Sequence, residues 1–403
     1  TVLYLGGLLA AATLLRGRTR MLEPGLAAGV LIVIVYGLSE RLLPGLLSFS
    51  RSATAGGRLE QPLTYWNAMG ELAAIGLVLV TRLAGDRARA GALRASAAGA
   101  AAPLGLGLYL SFSRGALYAA GAGLLALILL VKRREQLIAL AVTLGAAVVC
   151  SIVAAPFGGV TGLTGSRSAR ETQGAVMLAV LVAVTLVAAL IQLRLARSER
   201  PRTLRVPAHA PWIVTALICA GLTVAIVVGT KETSKASLGA GASRLTTLQS
   251  DRYAYWGVVM RAFADEPLLG VGAENWRIYW LRDRPTDTAA LDAHSLELQT
   301  LAELGLIGVA ILAVLLGAIG MAGWRAHELA PELAAGPLAG LVVYLVHSPL
   351  DWDWQMPALT LVAVGLAGGV LALADSDLRE DFATGARTAG DDELTADARV
   401  FSS

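Results

Sequence analysis

The chain has 403 residues, of which 56% are hydrophobic and only 16% charged, with a formal net charge of +3 and a mean hydropathy of +0.63. A soluble domain carries roughly a quarter of its residues as charges, so the composition excludes an ordinary water-soluble globule and describes a polytopic membrane protein. The small net charge gives no footing to a nucleic-acid partner. All of the 33 basic residues except Lys132, Lys231 and Lys235 are arginines, so each arginine must be argued from its position.

In chain order, apolar runs of about the length a bilayer requires lie near 1–15, 24–40, 62–81, 95–112, 114–131, 136–155, 174–193, 211–229, 303–323, 335–350 and 357–374, which gives eleven spans. The connections alternate in charge. "RGRTR" (16–20), "RLAGDRARAGALR" (82–94), "KRRE" (132–135), "RLARSERPRTLR" (194–205) and "WRAHE" (324–328) together hold sixteen basic residues, and the positive-inside rule assigns these five to the cytoplasmic side. The first residue then lies outside and the C-terminus inside. An odd count that opens on Thr1 within an apolar run is what a twelve-span chain would leave on losing one N-terminal helix. Residues 1–374 read as one transmembrane unit with an external loop at about 230–302. Residues 375–403, with eight acids, three arginines and no apolar periodicity, read as a disordered cytoplasmic tail. Cys150 and Cys219 fall inside apolar runs and offer neither a disulfide framework nor a metal-ligand spacing.

The residues able to do chemistry gather on the external side. "LSFSRGALYAAG" (110–121) sets Arg114 between two apolar runs. An arginine at membrane depth faces a cavity or an anionic partner unless it snorkels to the surface, and its planar guanidinium suits phosphate oxygens. "QPLTYWNAMG" (61–70) carries Tyr65, Trp66 and Asn67, and "DWDWQ" (351–355) carries Asp351 and Trp352. These form either an aromatic belt or indoles that stack on sugars beside carboxylates that accept hydroxyls. "DRYAYWGVVMRAFADEPLLG" (251–270) spaces Trp256, Val259, Met260 and Phe263 as an amphipathic helix at the membrane surface. Arg252 lies one turn ahead of Trp256, and Pro267 and Gly270 end the helix. "GVGAEN" (270–275) is a turn and not a phosphate loop, since no strand precedes it.

"LDAHSLELQTLAELGLIG" (291–308) opens the ninth span with Asp292 as its expected N-cap. His294 would then sit in the first turn, where the positive end of the helix dipole favours a neutral imidazole fit for a general base. A purely structural interfacial histidine is the alternative. His209 and His327 fall on the cytoplasmic side and read as structural, and His347 lies near an external end without an inferable acceptor.

These stretches together resemble the O-antigen ligase family and its related polysaccharide polymerases. "SFSRGAL" looks like the family's Ser-Arg-Gly segment. "DRYAYWGVVMRAFADEPLLGVG" looks like its external run of Arg, aromatic and Pro-x-x-Gly-x-Gly. His294 to Gly305 looks like its histidine signature, with Ser295 where an Asn is common. The resemblance covers about Ser111 to Gly308. It implies an all-α, GT-C-like bundle that transfers a glycan from an undecaprenyl-pyrophosphate carrier to an acceptor hydroxyl at the outer face of the inner (plasma) membrane, with inversion and with no metal or other cofactor. It implies that His294 is the base and that Arg252 and Arg114 hold the pyrophosphate, with Arg244 as a competing arginine. Asp351, Trp352 and Trp66 are then possible glycan contacts. The implied partners are the lipid-linked glycan, a glycan or lipid acceptor and membrane lipids, with no nucleic acid. A lipid or polysaccharide transporter is the alternative class, but it would place charges at midplane in several spans, whereas here they concentrate at one surface.

Overall fold

A computed structural model describes residues 2–197, 252–285, 287 and 289–375. Among them are thirteen α-helices and no strand: α1 (Val2–Leu14), α2 (Leu22–Leu42), α3 (Trp66–Gly85), α4 (Gly91–Leu110), α5 (Arg114–Leu130), α6 (Arg134–Ala154), the single turn α7 (Gly158–Thr161), α8 (Arg167–Arg197), α9 (Arg252–Asp265), α10 (Trp276–Asp283), α11 (Leu296–Leu329), α12 (Pro331–His347) and α13 (Pro357–Ala374). Ten of the eleven apolar runs coincide with helices. The eighth run, 211–229, lies outside the described residues, as do Arg244 and the tail beyond Asp375. Six helical segments are long and apolar enough to cross a bilayer by length and composition, namely Thr19–Leu42, Trp66–Gly85, Arg134–Ala154, Arg167–Arg197, Leu296–Leu329 and Pro357–Ala374.

α3 is the axis of the bundle. Every residue from Asn67 to Gly85 is buried, enclosed by α2, α4, α5, α6 and α12. Small residues make the close packing possible: Gly76 abuts Val30 and Leu104, and Gly105 abuts Ala147. Interfaces of this kind pack membrane helices, because lipid supplies no hydrophobic drive between them. Large apolar side chains instead point outward from α8 (Val182, Leu186, Val187, Leu190) and α11 (Ile311, Val314, Leu315, Met321). A continuous apolar exterior of this sort suits hydrocarbon and not water.

The connections sort into two ends, as the charge alternation requires. At one end Arg20 donates to Ala88 O and Arg89 to Arg20 O. There Arg82 pairs with Glu332 (2.7 Å), and Arg133 reaches the same carboxylate (2.7 Å). At the other end Arg41 donates to Val160 O and Gly57 O, Leu59 N donates to Leu110 O, and Leu296 N donates to Ser348 O. All described connections assigned to the outer face are gathered at this second end, where the site lies.

Candidate functional site

α11 is broken near its head. Gly305 has φ 63° and ψ −160° inside the helix, a conformation that glycine adopts without steric cost, and the break releases backbone groups on both sides. The turn that follows α9 provides their partners. Leu306 N donates to Pro267 O (2.9 Å) and Ile307 N to Leu268 O (3.3 Å), while Val271 N and Gly272 N donate to Ala302 O and Glu303 O (2.9 Å each). A Cβ on Gly305 would strike the Leu268 carbonyl, and one on Gly270 would strike the Glu303–Leu304 peptide. Pro-x-x-Gly-x-Gly (267–272) and the helix running from His294 past Gly305 are therefore two halves of one backbone junction, which holds α9 against the head of α11.

The structure corrects where that helix begins. Ser295, not Asp292, is the N-cap, its Oγ accepting from Leu298 N at 3.3 Å. His294 precedes the cap at φ 54°, so it is not in the first turn and the dipole argument made from the sequence loses its premise. The left-handed backbone folds the ring back until Nδ1 lies 2.9 Å from the Asp292 carbonyl oxygen. A carbonyl can only accept, so Nδ1 carries the hydrogen and the lone pair of the neutral ring sits on Nε2. Tyr255 stands beside the ring at 5.2 Å between centroids and Trp352 at 6.3 Å. Tyr255 is itself set edge-on to the fully buried Trp276 and Trp280.

Asp351 joins three elements. Its Oδ1 accepts from Tyr65 Oη (2.6 Å), and its Oδ2 accepts from Asn67 Nδ2 (2.5 Å) and Arg252 Nη2 (2.8 Å). Burial would raise this carboxyl, but the Arg252 guanidinium, with His294 and His347, outweighs it and holds Asp351 below the ordinary carboxylate range. In turn burial disfavours the Arg252 charge, and Asp351 and Tyr65 more than compensate. Asp351 and Asp353 are both 0% exposed. Both oxygens of Asp351 accept from protein donors, so it is a buried carboxylate and not one lying open at the surface. Burial pushes Asp292 up, against the pull of Gln299, His294 and Gln355.

The indoles lie in the same constellation. Trp352 packs on Tyr65 at 4.8 Å, Tyr65 on Trp66 at 4.9 Å, and the Arg58 guanidinium lies 3.5 Å over the Trp66 ring. His294, Arg252, Asp351, Trp352 and Trp66 are thus brought into one assembly from α3, α9, the head of α11 and the α12–α13 turn. Arg114 heads α5 at the same end, where its neighbour Gly115 abuts the His347 imidazole. The sequence reading missed Glu71, and missed that it is brought together with His347 and Asp353 within the bundle. Only the external position of His347 hinted at them. Among the described residues they are the one cluster of three metal-donor types, yet their spacing is that of hydrogen bonds, with His347 Nδ1 2.6 Å from Asp353 Oδ2.

The family model described as O-antigen ligase matches residues 163–313. No curated protein matches the chain. Arg252, His294 and both halves of the glycine junction fall inside the matched stretch, whereas Tyr65, Trp66, Asn67, Arg114, Asp351 and Trp352 complete the assembly from outside it.

Proposed function

We propose that this membrane enzyme transfers a glycan from an undecaprenyl-pyrophosphate carrier to an acceptor hydroxyl on the outer face of the plasma membrane, a reading supported by the match of residues 163–313 to the O-antigen ligase family model. The observation that carries the reading is the orientation of His294, whose Nδ1–H is committed to the Asp292 carbonyl, leaving Nε2 as the basic nitrogen.

His294 Nε2 takes the proton of the acceptor hydroxyl as its oxygen attacks the anomeric carbon. The bond from that carbon to the pyrophosphate oxygen breaks with its electron pair, and a single displacement inverts the anomeric centre. Arg252, held by Asp351, and Arg114 bind the pyrophosphate and stabilise the charge that grows on it, with Arg244 as a third cation for the same anion. Asp351 serves as the mount for Arg252, not as a sugar contact, while Trp352 and Trp66 offer aromatic surface to the glycan. No step requires a metal ion. A polymerase of the same family would run this step with a second lipid-linked glycan as the acceptor.

The test is transfer by purified protein in detergent or nanodiscs. His294→Ala is expected to lose about 10²- to 10⁴-fold in kcat, the usual contribution of a general base, while its thermal melt stays close to wild type. Wild-type turnover by a folded His294→Ala protein sinks the mechanism.

A further inference from the structure

One buried cluster plays no part in the chemistry above. His347 ends α12, and its Nδ1 lies 2.6 Å from Asp353 Oδ2 and 2.9 Å from Glu71 Oε2, with all three side chains at most 1% exposed. Glu71 follows Asn67 by one turn on the same face of α3. That face therefore meets both acids of the 348–356 turn: Asn67 donates to Asp351, and Glu71 approaches His347 beside Asp353. Thr360 Oγ1 ties the same turn to α13 by donating to Asp353 O (2.9 Å).

The charge count does not close if all three ionise. An imidazolium between two carboxylates leaves one buried negative charge, which burial penalises heavily. Nor can the single Nδ1–H satisfy both acids: it goes to Asp353 Oδ2, while both Glu71 oxygens and Asp353 Oδ1 accept no hydrogen bond. A further proton held between the acids removes both faults. The groups facing the cluster are the Tyr65 and Tyr344 hydroxyls, with the Asp351–Arg252 pair one layer outward. Tyr4 of α1 approaches from the side, donating to Trp354 O (2.7 Å). A tetrahedral cation does not fit the spacing, since its nitrogen and oxygen donors would stand roughly 3.3 Å apart.

We propose that Glu71 is the protonated member of a Glu71–His347–Asp353 proton-sharing triad, and that the three are positioning residues that lock the 348–356 turn so that Asp351 holds Arg252 beside His294. The positioning half of this inference rests on the transfer reading above.

Glu71→Gln copies a protonated carboxyl and Glu71→Ala removes it. Both are compared with wild type in glycan transfer, in the infrared carbonyl band of protonated carboxyls, and in bound metal content. Glu71→Gln is expected to keep kcat/KM within about threefold, while Glu71→Ala loses about a hundredfold, the scale of a group displaced by roughly an ångström. The infrared band present in wild type at neutral pH is expected to lose intensity in Glu71→Gln. Should Glu71→Ala fail to fold, Asp353→Ala takes its place. A folded Glu71→Gln as inactive as Glu71→Ala shows that an ionised carboxylate is required and overturns the proposal. So does an equimolar metal ion that Glu71→Gln loses, or full activity in Glu71→Ala. If wild type transfers no glycan at all, the transfer reading fails, and the infrared band still decides where the proton is.

Discussion

Asp351 shows how one buried carboxylate can tie distant parts of a chain together. It gathers Tyr65 and Asn67 from one part of the chain and Arg252 from another onto two oxygens. Removing one member of a buried, hydrogen-bonded pair leaves the other uncompensated, so Asp351→Asn is expected to cost about 2–4 kcal/mol. The pH dependence has a definite sign. The folded-state carboxyl is depressed, so its stabilisation is complete above the unfolded value of about 3.9 and is lost as the pH falls through the folded value. The stability gap between wild type and Asp351→Asn is therefore constant at neutral pH and closes in acid, which denaturation across a pH series measures. A gap that instead closes as the pH rises would contradict this account. Asp351 was visible in the sequence as a carboxylate among indoles, but its partners lie 99 to 286 residues away, and no spacing rule reaches that far.

At the level of elements, the Gly305 break and the Pro267–Gly272 turn depend on each other. Adding a Cβ at Gly305 forces a left-handed residue against the Leu268 carbonyl. Gly305→Ala is expected to destabilise by about 2 kcal/mol or more and to reduce transfer, because α9 and Arg252 lose their seat. Gly317→Ala, on the same helix with nothing nearby, is the control and should leave the thermal melt unchanged; equal effects from both would discredit the junction. The sequence showed both glycine motifs and the apolar run that follows them. It did not show that they are hydrogen-bonded partners, because the strongest signal in α11 is its continuous hydrophobicity, which masks a break in the backbone. The helix start was misread for a local reason. Asp292 and Ser295 are both good N-caps, and only the left-handed backbone at His294 decides for Ser295.

For the whole molecule, the charge alternation read along the chain reappears as two segregated ends, one tied by arginine–carboxylate pairs such as Arg82–Glu332 and one holding the site. That separation was legible because short connections carry their sidedness in composition. The packing order around α3 was not, since small residues alternate there without a period that names a partner. In a background lacking Cys150 and Cys219, a membrane-impermeant maleimide applied to intact cells is expected to label Ser52→Cys and to spare Ala88→Cys, two exposed positions at opposite ends. The reverse pattern would place the His294 end in the cytoplasm and remove the proposed substrate.

The interlock between 267–272 and 302–307 also sets the rules for recombining this protein with relatives. A crossover anywhere between those two stretches would pair a turn from one parent with a broken helix from another, and four backbone hydrogen bonds would have to re-form across mismatched surfaces. Crossovers placed after α11 would keep the interlock whole but would import a foreign 348–356 turn, and with it a foreign mount for Arg252. The smallest transplantable unit is thus a discontinuous one, joining α9 through α11 to a nine-residue turn that lies a full helix further along the chain.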